Sequence, residues 1–360
     1  MKQYIVEQEA IAHNLEVLSE KAGSTPIWAV LKGDGYGIGI VPMAEACLQA
    51  GILRFAVTET TEAAQIRQLS EAAQILMLRP VREPEELATM LQLNVIATVS
   101  SVEDAAALNS MATQLGAVAE AHVKIDTGMG RYGFLPHETE KMLSVYRHHD
   151  RIAVSGIYTH FHSAFGKAAV TKQQAQRFEA AVQALAEAGV EPGTAHCCNS
   201  TAFLRFPELK MGGVRLGSAL LGRVLGKSNL RKVGWCEATI DQLRWLPAGH
   251  TTGYGGAWRA RRPTRIAVIP VGWYHGFGVE HGNDIFRFRD CLRMGFNALK
   301  WMLLPPRLQV SIGGRKCKVL GHVGMLHTVC DVTRVSCNEG DKVRMEIKPL
   351  QVHGMEIVWK

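Results

Sequence analysis

The chain has 360 residues, of which 47% are apolar and 20% charged, a balance typical of globular proteins and not of disordered or fibrous ones. It contains no apolar run approaching the roughly 18 residues that cross a bilayer. The N-terminus turns acidic at Glu7 without the apolar core of a signal peptide. These features argue against an integral membrane protein and predict a soluble, cytoplasmic protein of about two domains.

The net charge is +7, from 40 Lys and Arg against 33 Asp and Glu. Such an excess suits an anionic ligand, and also weak attraction to nucleic acid or to a membrane surface. Because the basic residues are mostly dispersed, we expect neither nucleic acid nor a membrane as a partner. The eight cysteines include no C-x-x-C pair, so no zinc site is predicted.

Residues 10–230 alternate short apolar strands with helical stretches. Continuous apolar runs between helices indicate a parallel sheet buried on both faces, and eight such units in about 220 residues fit a closed (β/α)8 barrel. The predicted strands are Ile27–Leu31, Arg54–Thr58, Gln74–Leu78, Val95–Val99, His122–Ile125, Ala153–Thr159, Thr194–Cys197 and Met211–Arg215. The predicted helices include Pro42–Ala50, Thr61–Leu69, Val102–Leu115 and Lys172–Ala188.

Helical periodicity nearly disappears after residue 232. A barrel over residues 7–232 and a mainly-β domain over residues 233–360, joined by residues 1–6, are therefore predicted. Residues 284–306 interrupt the β pattern with an apolar stretch that follows several arginines. We interpret them as an insertion, helical or irregular, that packs on its own domain or forms an interface or active-site cover. The predicted strands of this half are Val233–Leu246, Thr264–Pro270, Leu308–Ile312, Lys316–Leu320 and Lys342–Ile347.

Lys32 directly follows the first predicted strand and is bordered by glycine residues. In a barrel of this type the catalytic groups stand at the carboxyl ends of the strands. Desolvation there disfavours the ammonium form and lowers the pKa, which gives an amine able to form a Schiff base. A strand-end lysine taken alone also fits an ordinary surface charge.

Later strand ends carry further polar side chains, namely Lys124, Arg131, His160, Ser200 and Arg215. The ends of barrel strands converge on one mouth, and late βα loops often bind phosphate there. Ser200 and the amides of Gly217 and Ser218 form a candidate phosphate site.

In this order the motifs resemble the alanine racemase family, pyridoxal-phosphate enzymes with a barrel and a C-terminal β-domain. The resemblance extends from about Val6 to about Ile347, which is most of the chain. The matching motifs are Lys32-x-x-x-Tyr36-Gly37, Lys124 to Gly133, Thr159-His160-Phe161, Asn199-Ser200, Leu204 to Glu208, Val214-Arg215-x-Gly217, Gly253-Tyr254-Gly255 and, where the family has Cys-Met-Asp, Gly324-Met325.

The resemblance implies a two-base reaction. Lys32 would carry pyridoxal 5'-phosphate as a Schiff base and act as one acid/base. Tyr254 of a partner subunit would act on the opposite face, which implies a head-to-tail homodimer with composite active sites. Racemisation requires two such groups, because one removes the α-proton while the other donates a proton.

The resemblance also assigns the cofactor contacts. Arg215 would bind the pyridine nitrogen, and because arginine does not give up its proton, the ring would stay unprotonated and be a poorer electron sink. Arg131 would lie near the cofactor's phenolic oxygen and the substrate, with Lys124, carbamylated in many family members, behind it. His160 would stack near the ring or support Arg215. The remaining implied contacts are Tyr36, Asn199, Ser200, Gly217 and Ser218 for the cofactor and Met325 for the substrate.

Three departures concern the substrate side. Leu326 stands at the aspartate of the family's Cys-Met-Asp, and Trp273 stands at the tyrosine of its Gly-Tyr-Ala-Asp-Gly. No tyrosine follows Tyr274, so the family's late gating tyrosine has no counterpart. The sequence therefore predicts an amino-acid racemase, alanine being the first expectation. A larger substrate such as serine, ornithine or lysine, or a broad specificity, remains open.

Two rival functions use similar parts. A pyridoxal-phosphate decarboxylase on such a scaffold would pair the pyridine nitrogen with a Glu, and Arg215 argues against it. A non-catalytic pyridoxal-phosphate-binding homologue of the single-barrel type would lack the β-domain and Tyr254. A scaffold reused only for protein interaction is the remaining alternative.

Overall fold

The computed structural model describes residues 1–226, 228–279, 287–303 and 308–360. The chain divides into two units. One unit is Gln8–Val233, and the other combines Met1–Glu7 with Gly234–Lys360. The first residues belong with the later part of the chain because strand β1 (Lys2–Val6) pairs with strands from that part.

Strands and helices alternate along Gln8–Val233. The strands are β2 (Ile27–Val30), β3 (Arg54–Val57), β4 (Gln74–Met77), β5 (Val95–Val99), β6 (Ala119–Lys124), β7 (Ile152–Tyr158), β8 (Thr194–His196) and β9 (Val214–Leu216). The helices are α1 (Gln8–Ala22), α2 (Lys32–Gly37), α3 (Ile40–Gln49), α4 (Thr60–Leu69), α5 (Pro84–Gln92), α6 (Val102–Gln114), α7 (Thr139–Arg147), α8 (Ala168–Glu187) and α9 (Ser200–Arg205).

The strands of this unit form one parallel sheet in the order β8-β7-β6-β5-β4-β3-β2-β9. The sheet closes between its two ends through a parallel bridge, in which the Arg215 amide donates to the Cys198 carbonyl at 2.9 Å. Strands β2 and β5 are buried along their whole length, which is why they are continuous apolar runs in the sequence. The predicted (β/α)8 barrel is confirmed.

The helices begin where side chains can satisfy their free amides. The Ser101 hydroxyl accepts from the Asp104 amide at the start of α6, and Glu59 and Glu62 form a reciprocal capping box at α4. Such caps set the βα loops, and therefore the mouth of the barrel.

The second unit is mainly β, as predicted. Its further elements are β10 (Trp235–Thr239), β11 (Gln242–Leu246), β12 (Thr251–Thr252), β13 (Trp258–Arg259), β14 (Thr264–Ile269), α10 (Phe288–Leu303), β15 (Gln309–Ile312), β16 (Arg315–Lys318), β17 (Thr328–Asp331), β18 (Lys342–Met345) and β19 (Glu356–Trp359). The described strands form a six-stranded sheet (β16-β15-β18-β10-β1-β19), a three-stranded sheet (β11-β14-β17) and the pair β12-β13.

The single strand predicted over Val233–Leu246 is wrong. Strand β10 belongs to the six-stranded sheet and β11 to the three-stranded sheet. The backbone changes partners between them, because the Ile240 amide donates to Asp341 and the Asp241 amide donates to Val268. No Gly or Pro lies between Thr239 and Gln242, so the sequence does not mark the change of sheet.

The predicted insertion contains helix α10. Its helical interpretation is correct over Phe288–Leu303, while residues 284–286 and 304–306 of the same prediction lie outside the described residues. None of the helices in the described ranges combines the length and apolar character needed to span a bilayer.

Candidate active site

Lys32 opens a turn of left-handed helix at the end of strand β2. The φ angles of Gly33, Asp34, Gly35 and Tyr36 all lie between 52° and 66°. Left-handed backbone costs roughly 1–2 kcal/mol for each residue that carries a Cβ, so side chains must hold this turn. The Asp34 carboxylate accepts from the Ile40 amide at 2.8 Å, and the Asp34 amide donates to Glu62 at 3.0 Å.

Glu62 is the anchor of this turn. The side chain is buried and also accepts from the amides of Thr58 and Glu59, at 2.9 and 3.1 Å. One carboxylate thus ties the loop after β3 to the turn that carries Lys32 and Tyr36. Sequence reasoning missed this role, although a glutamate three residues into a helix is a capping signal.

Every barrel residue predicted for the site lines one cavity of about 440 Å³ at the carboxyl ends of the strands. The predicted residues found there are Lys32, Tyr36, Lys124, Arg131, His160, Asn199, Ser200, Arg215, Gly217 and Ser218. Those that were not predicted include Thr58, Leu78, Arg79, Tyr132 and Tyr158. The described lining contains five Lys or Arg side chains and no carboxylate, so the cavity favours anions.

Arg131 is presented by a loop that Asp126 organises. The Asp126 carboxylate accepts from the amides of Gly128, Met129 and Arg131 at 2.8, 2.7 and 3.2 Å. It also accepts from Gly130. Four amides that converge on one carboxylate fix the course of the loop, and therefore the position of Arg131.

Arg215 is buried and held by a set of acceptors. Its Nη1 donates to His196 Nδ1 at 2.7 Å and to the His196 carbonyl at 2.9 Å. Its Nη2 donates to the carbonyls of Thr159 and Cys197. A guanidinium has five N–H groups, so the Nε–H is the one left without a partner among the described residues. That donor remains for a ligand in the cavity.

Two buried histidines extend this network. Because Arg215 can only donate, His196 Nδ1 must accept, so the His196 proton is on Nε2 and is donated to His122 Nδ1 at 3.0 Å. Burial, aided by the Arg215 charge, lowers the pKa of His196 well below its usual value and that of His122 to about 3. The histidine that accepts from Arg215 is thus His196, whereas His160 lines the cavity.

Tyr36, Ser200 and Gly217 form a small cradle at one side of the cavity. A Cβ on Gly217 would come within 2.1 Å of the Tyr36 hydroxyl, so the phenol lies directly against bare backbone. The Ser200 oxygen accepts from the amides of Gly217 and Ala219 at 3.0 and 3.2 Å. The hydroxyl proton of Ser200 therefore remains available to a ligand. Burial raises the pKa of Tyr36 to about 12, so the phenol keeps its proton and can donate it as well. Two neutral donors beside bare backbone fit a phosphate group.

The two lysines of the cavity have lowered pKa values. Burial is the largest cause at Lys32, and the Arg131 charge adds to it. At Lys124 burial, followed by the charges of Arg215 and Arg131, lowers the pKa to about 7. Both amines therefore reach the neutral, nucleophilic form more readily than a surface lysine.

Tyr158 is the main contributor that sequence reasoning missed. It is buried, its ring stacks on His196 with centroids 5.0 Å apart, and the Lys124 ammonium lies 5.0 Å from the ring centroid. Its hydroxyl is within hydrogen-bond distance of Thr98, at 2.8 Å. The one available signal was its position directly before the Thr-His-Phe motif.

Tyr254 and Met325 lie in the other unit. They line one groove together with Gly253, His322, Gly324, Leu326, His327 and Val329. The side chain of Tyr254 is 77% exposed. The predicted catalytic tyrosine and the predicted substrate contact are therefore neighbours.

The chain matches two family models. Residues 6–224 match the N-terminal domain of alanine racemase, and residues 233–352 match its C-terminal domain. The chain belongs to the alanine racemase family. This membership confirms the predicted resemblance and the predicted enzyme class, an amino-acid racemase.

Similar proteins cover nearly the whole chain. Alanine racemase of Desulforamulus reducens is 31% identical over 337 residues, which are 91% of this chain and 85% of that protein. Alanine racemase of Symbiobacterium thermophilum is 31% identical over 326 residues, 89% of this chain and 80% of that protein. The crystal structure of alanine racemase from Streptomyces lavendulae has the same fold, with a TM-score of 0.84 at 21% identity, over 100% of this chain and 97% of that one.

Proposed function

We propose that this protein racemises alanine with pyridoxal 5'-phosphate bound in the barrel cavity. The observation that carries the proposal is one cationic cavity that joins a desolvated lysine, a fixed arginine donor and a cradle of neutral donors. The unit Gln8–Val233 would be the cofactor-binding domain, and the β unit would contribute the opposing acid/base. When bound, the cofactor supplies an electron-withdrawing ring that stabilises the carbanion formed at the substrate's α-carbon.

Lys32 would hold the cofactor and move a proton. Its lowered pKa makes the neutral amine available for covalent attachment to an aldehyde. The left-handed turn brings Lys32 and Tyr36 to the same cavity, with Tyr36 at the phosphate cradle. The amine would then exchange a proton with the α-carbon from one face.

Arg215 sets the electronic character of the site. Its remaining Nε–H would donate to the pyridine nitrogen without releasing the proton, since arginine stays protonated in proteins. The His196 and His122 tautomers keep the guanidinium in this orientation. By leaving the ring unprotonated, Arg215 would weaken its withdrawal of electron density and so limit reactions other than return of the proton.

Tyr254 would supply the second acid/base from a partner subunit, in a head-to-tail homodimer. Its exposure and its position beside Met325 support this proposal. Met325 would then contact the substrate in the same composite site. Two groups on opposite faces of the α-carbon allow exchange in both directions.

The charge of the cavity favours a small neutral side chain. The described lining contains no carboxylate that would pair with an ornithine or lysine ammonium. Arg131 would bind the substrate carboxylate, because a guanidinium forms paired bonds with a carboxylate. Alanine fits this lining, and serine and other larger amino acids remain outcomes of a substrate screen by chiral chromatography.

Heterodimers of tagged subunits test the composite site. One heterodimer pairs Lys32→Ala with Tyr254→Phe, and the control pairs wild type with the double variant Lys32→Ala/Tyr254→Phe. If Tyr254 acts across the interface, the first heterodimer holds one intact site and racemises alanine, while the control holds none. Activity in the control alone would show that Lys32 and Tyr254 of the same chain act together, and a protein inactive on every amino acid would reject the proposed function.

A further inference from the structure

Helix α10 (Phe288–Leu303) has one apolar face. Phe288, Leu292, Phe296, Leu299 and Leu303 follow one another at intervals of three or four residues, which places them on one side of the helix. Cys291, Ala298 and Met302 widen this side. Arg289, Arg293 and Lys300 follow one edge of the apolar face, and Trp301 stands at the other.

The apolar face is turned to solvent. Phe296 is 70% exposed, Met302 80% and Leu303 84%, and no residue along the described helix is buried. The two residues that are only partly exposed, Asp290 and Asn297, are polar and lie on the opposite side. This is the reverse of a helix that stabilises its own domain, where the apolar side faces the core.

The charges of helix α10 argue against a second copy of the helix as its partner. Its sequence has three basic side chains, with Arg287 directly before it, and one carboxylate, Asp290. That carboxylate is already paired with Arg293 at 3.2 Å. If a second copy packed antiparallel on this face, the edge with Arg289 and Lys300 would meet the same edge of its partner. A parallel pair would bring no free carboxylate to that edge either.

We propose that helix α10 binds the surface of an anionic lipid bilayer. The apolar face would lie among the acyl chains, Arg289, Arg293 and Lys300 would contact the headgroups, and Trp301 would sit at the boundary. A basic polar edge beside Phe, Leu and Trp is the composition of helices that lie in the plane of the interface. Such binding to the surface would differ from the expectation that a membrane is no partner, and it involves no crossing of the bilayer.

Vesicle binding by the holoenzyme tests the proposal. The protein is sedimented with vesicles of phosphatidylglycerol and phosphatidylcholine, and with vesicles of phosphatidylcholine alone. We expect binding to the anionic vesicles that weakens as salt is raised, because the headgroup attraction is screened. Equal binding to both vesicles, or none to the anionic ones at low salt, would overturn the proposal.

Paired variants assign the binding to α10. Replacement of both Arg289 and Lys300 by Gln should weaken partition roughly 25-fold, since each basic residue near an anionic surface contributes about fivefold. The control for charge is Arg261→Gln with Arg262→Gln, at two exposed arginines outside the helix. Equal losses in the test and control pairs would show that net charge alone attracts the protein.

The apolar face has its own pair of variants. Phe296→Ser with Leu299→Ser should reduce partition at least about tenfold, since burial of each side chain in the acyl region is lost. The matched control is Leu115→Ser with Leu350→Ser, at exposed leucines elsewhere. Racemase activity and circular dichroism of the test variant should match wild type. If this variant instead dissociates an oligomer while vesicle binding is unchanged, a second copy covers the face and the proposal is wrong.

Cys291 provides a direct probe. Of the eight cysteines, all within the described residues, it alone is exposed, and it stands on the apolar face. A polarity-sensitive fluorophore on Cys291 should shift to the blue when anionic vesicles are added, while Cys291→Ser remains unlabelled. Bound protein whose fluorophore does not shift would contradict insertion of this face.

Discussion

The barrel cavity and the Tyr254 groove present their functional groups in opposite ways. In the cavity, Arg215 is buried with four of its N–H groups committed, and Glu62 and Asp126 hold the loops that carry Lys32 and Arg131. In the groove, Tyr254 is largely exposed. The difference shows that one chain fixes the barrel cavity by its own hydrogen bonds, whereas Tyr254 lies on a surface that is open to another molecule.

Substitution of the two proposed acid/base groups, Lys32 and Tyr254, gives the largest expected effect. Lys32→Ala should remove the visible absorption of the bound cofactor and lower the activity at least about a hundredfold, since a positioned acid/base contributes 10²–10⁴. Tyr254→Phe should lose comparable activity and keep the absorption, because the proposed cofactor contacts all lie in the unit Gln8–Val233. Absorption spectra and racemisation rates measure both.

The same experiment has a clear contrary result. If Tyr254→Phe also loses the cofactor, the groove takes part in cofactor binding and the contrast between the two regions fails. Phe165→Ser, at an exposed aromatic residue, serves as the control for surface substitution.

Acid should destabilise the buried network of the cavity. The pKa values of His122 and His160 are lowered to about 3, chiefly by burial and next by the Arg215 charge, against about 6.5 in an unfolded chain. Between these values the unfolded state binds more protons, so the free energy of unfolding falls as pH is lowered from about 6.5 and is unaffected by these groups above it. At pH 5 each histidine should cost about 2 kcal/mol.

Urea unfolding at pH 7 and pH 5 measures this dependence. His122→Asn keeps an acceptor for His196 and removes one titrating group, so its loss of stability between the two pH values should be smaller than that of wild type by about 2 kcal/mol. His137→Asn, at an exposed histidine, is the control. An unchanged pH dependence in His122→Asn would mean that His122 is not held neutral by its surroundings.

Removal of Lys124, and of a carbamate formed on it, should have a moderate effect on activity. With a pKa of about 7, much of this amine is neutral near pH 7, and a neutral amine adds CO2 to give a carbamate and a released proton. An anion there would be stabilised by Arg131 and Arg215, whose charges already act on Lys124. Loss of a charge-assisted hydrogen bond costs roughly 1.5–3 kcal/mol, so Lys124→Gln should lower activity about ten- to a hundredfold.

Native mass spectrometry in bicarbonate detects the modification. Wild type should gain the mass of one CO2, and Lys124→Gln should not. The control is Lys141→Gln, at an exposed lysine. The carbamate is ruled out if wild type and Lys124→Gln have the expected unmodified masses at every bicarbonate concentration.

The barrel and the β unit also differ in how much of each is predictable from sequence. In the barrel, the end of each strand can be read from the apolar run that precedes it in the sequence. Lys32, Arg131 and Arg215 could therefore be assigned to one mouth from the strand pattern alone. In the β unit, β1 pairs in parallel with β19 across nearly the whole chain, with Gln3 opposite Glu356. No local pattern encodes such a pairing. The same limit hid Glu62 and Tyr158, whose roles arise from contacts between separate βα units.

The left-handed turn after β2 tests how tightly the cavity is built. Gly35 has a φ of 60°, and a Cβ there would lie 3.2 Å from both the amide nitrogen and the Cα of Ile40. Ile40 cannot move away easily, because its amide is hydrogen-bonded to the Asp34 carboxylate.

Gly23 has nearly the same φ, 63°, and a Cβ added there would have no neighbouring atom within 4 Å. Left-handed backbone alone should cost Gly23→Ala about 1 kcal/mol, whereas Gly35→Ala should lose about 2–3 kcal/mol, because overpacking adds to that cost. Gly35→Ala should also bind the cofactor more weakly, since Lys32 and Tyr36 share the turn. Equal losses of stability in the two variants, measured by urea unfolding, would show that the turn adapts and that the cavity is less rigid than its hydrogen bonds indicate.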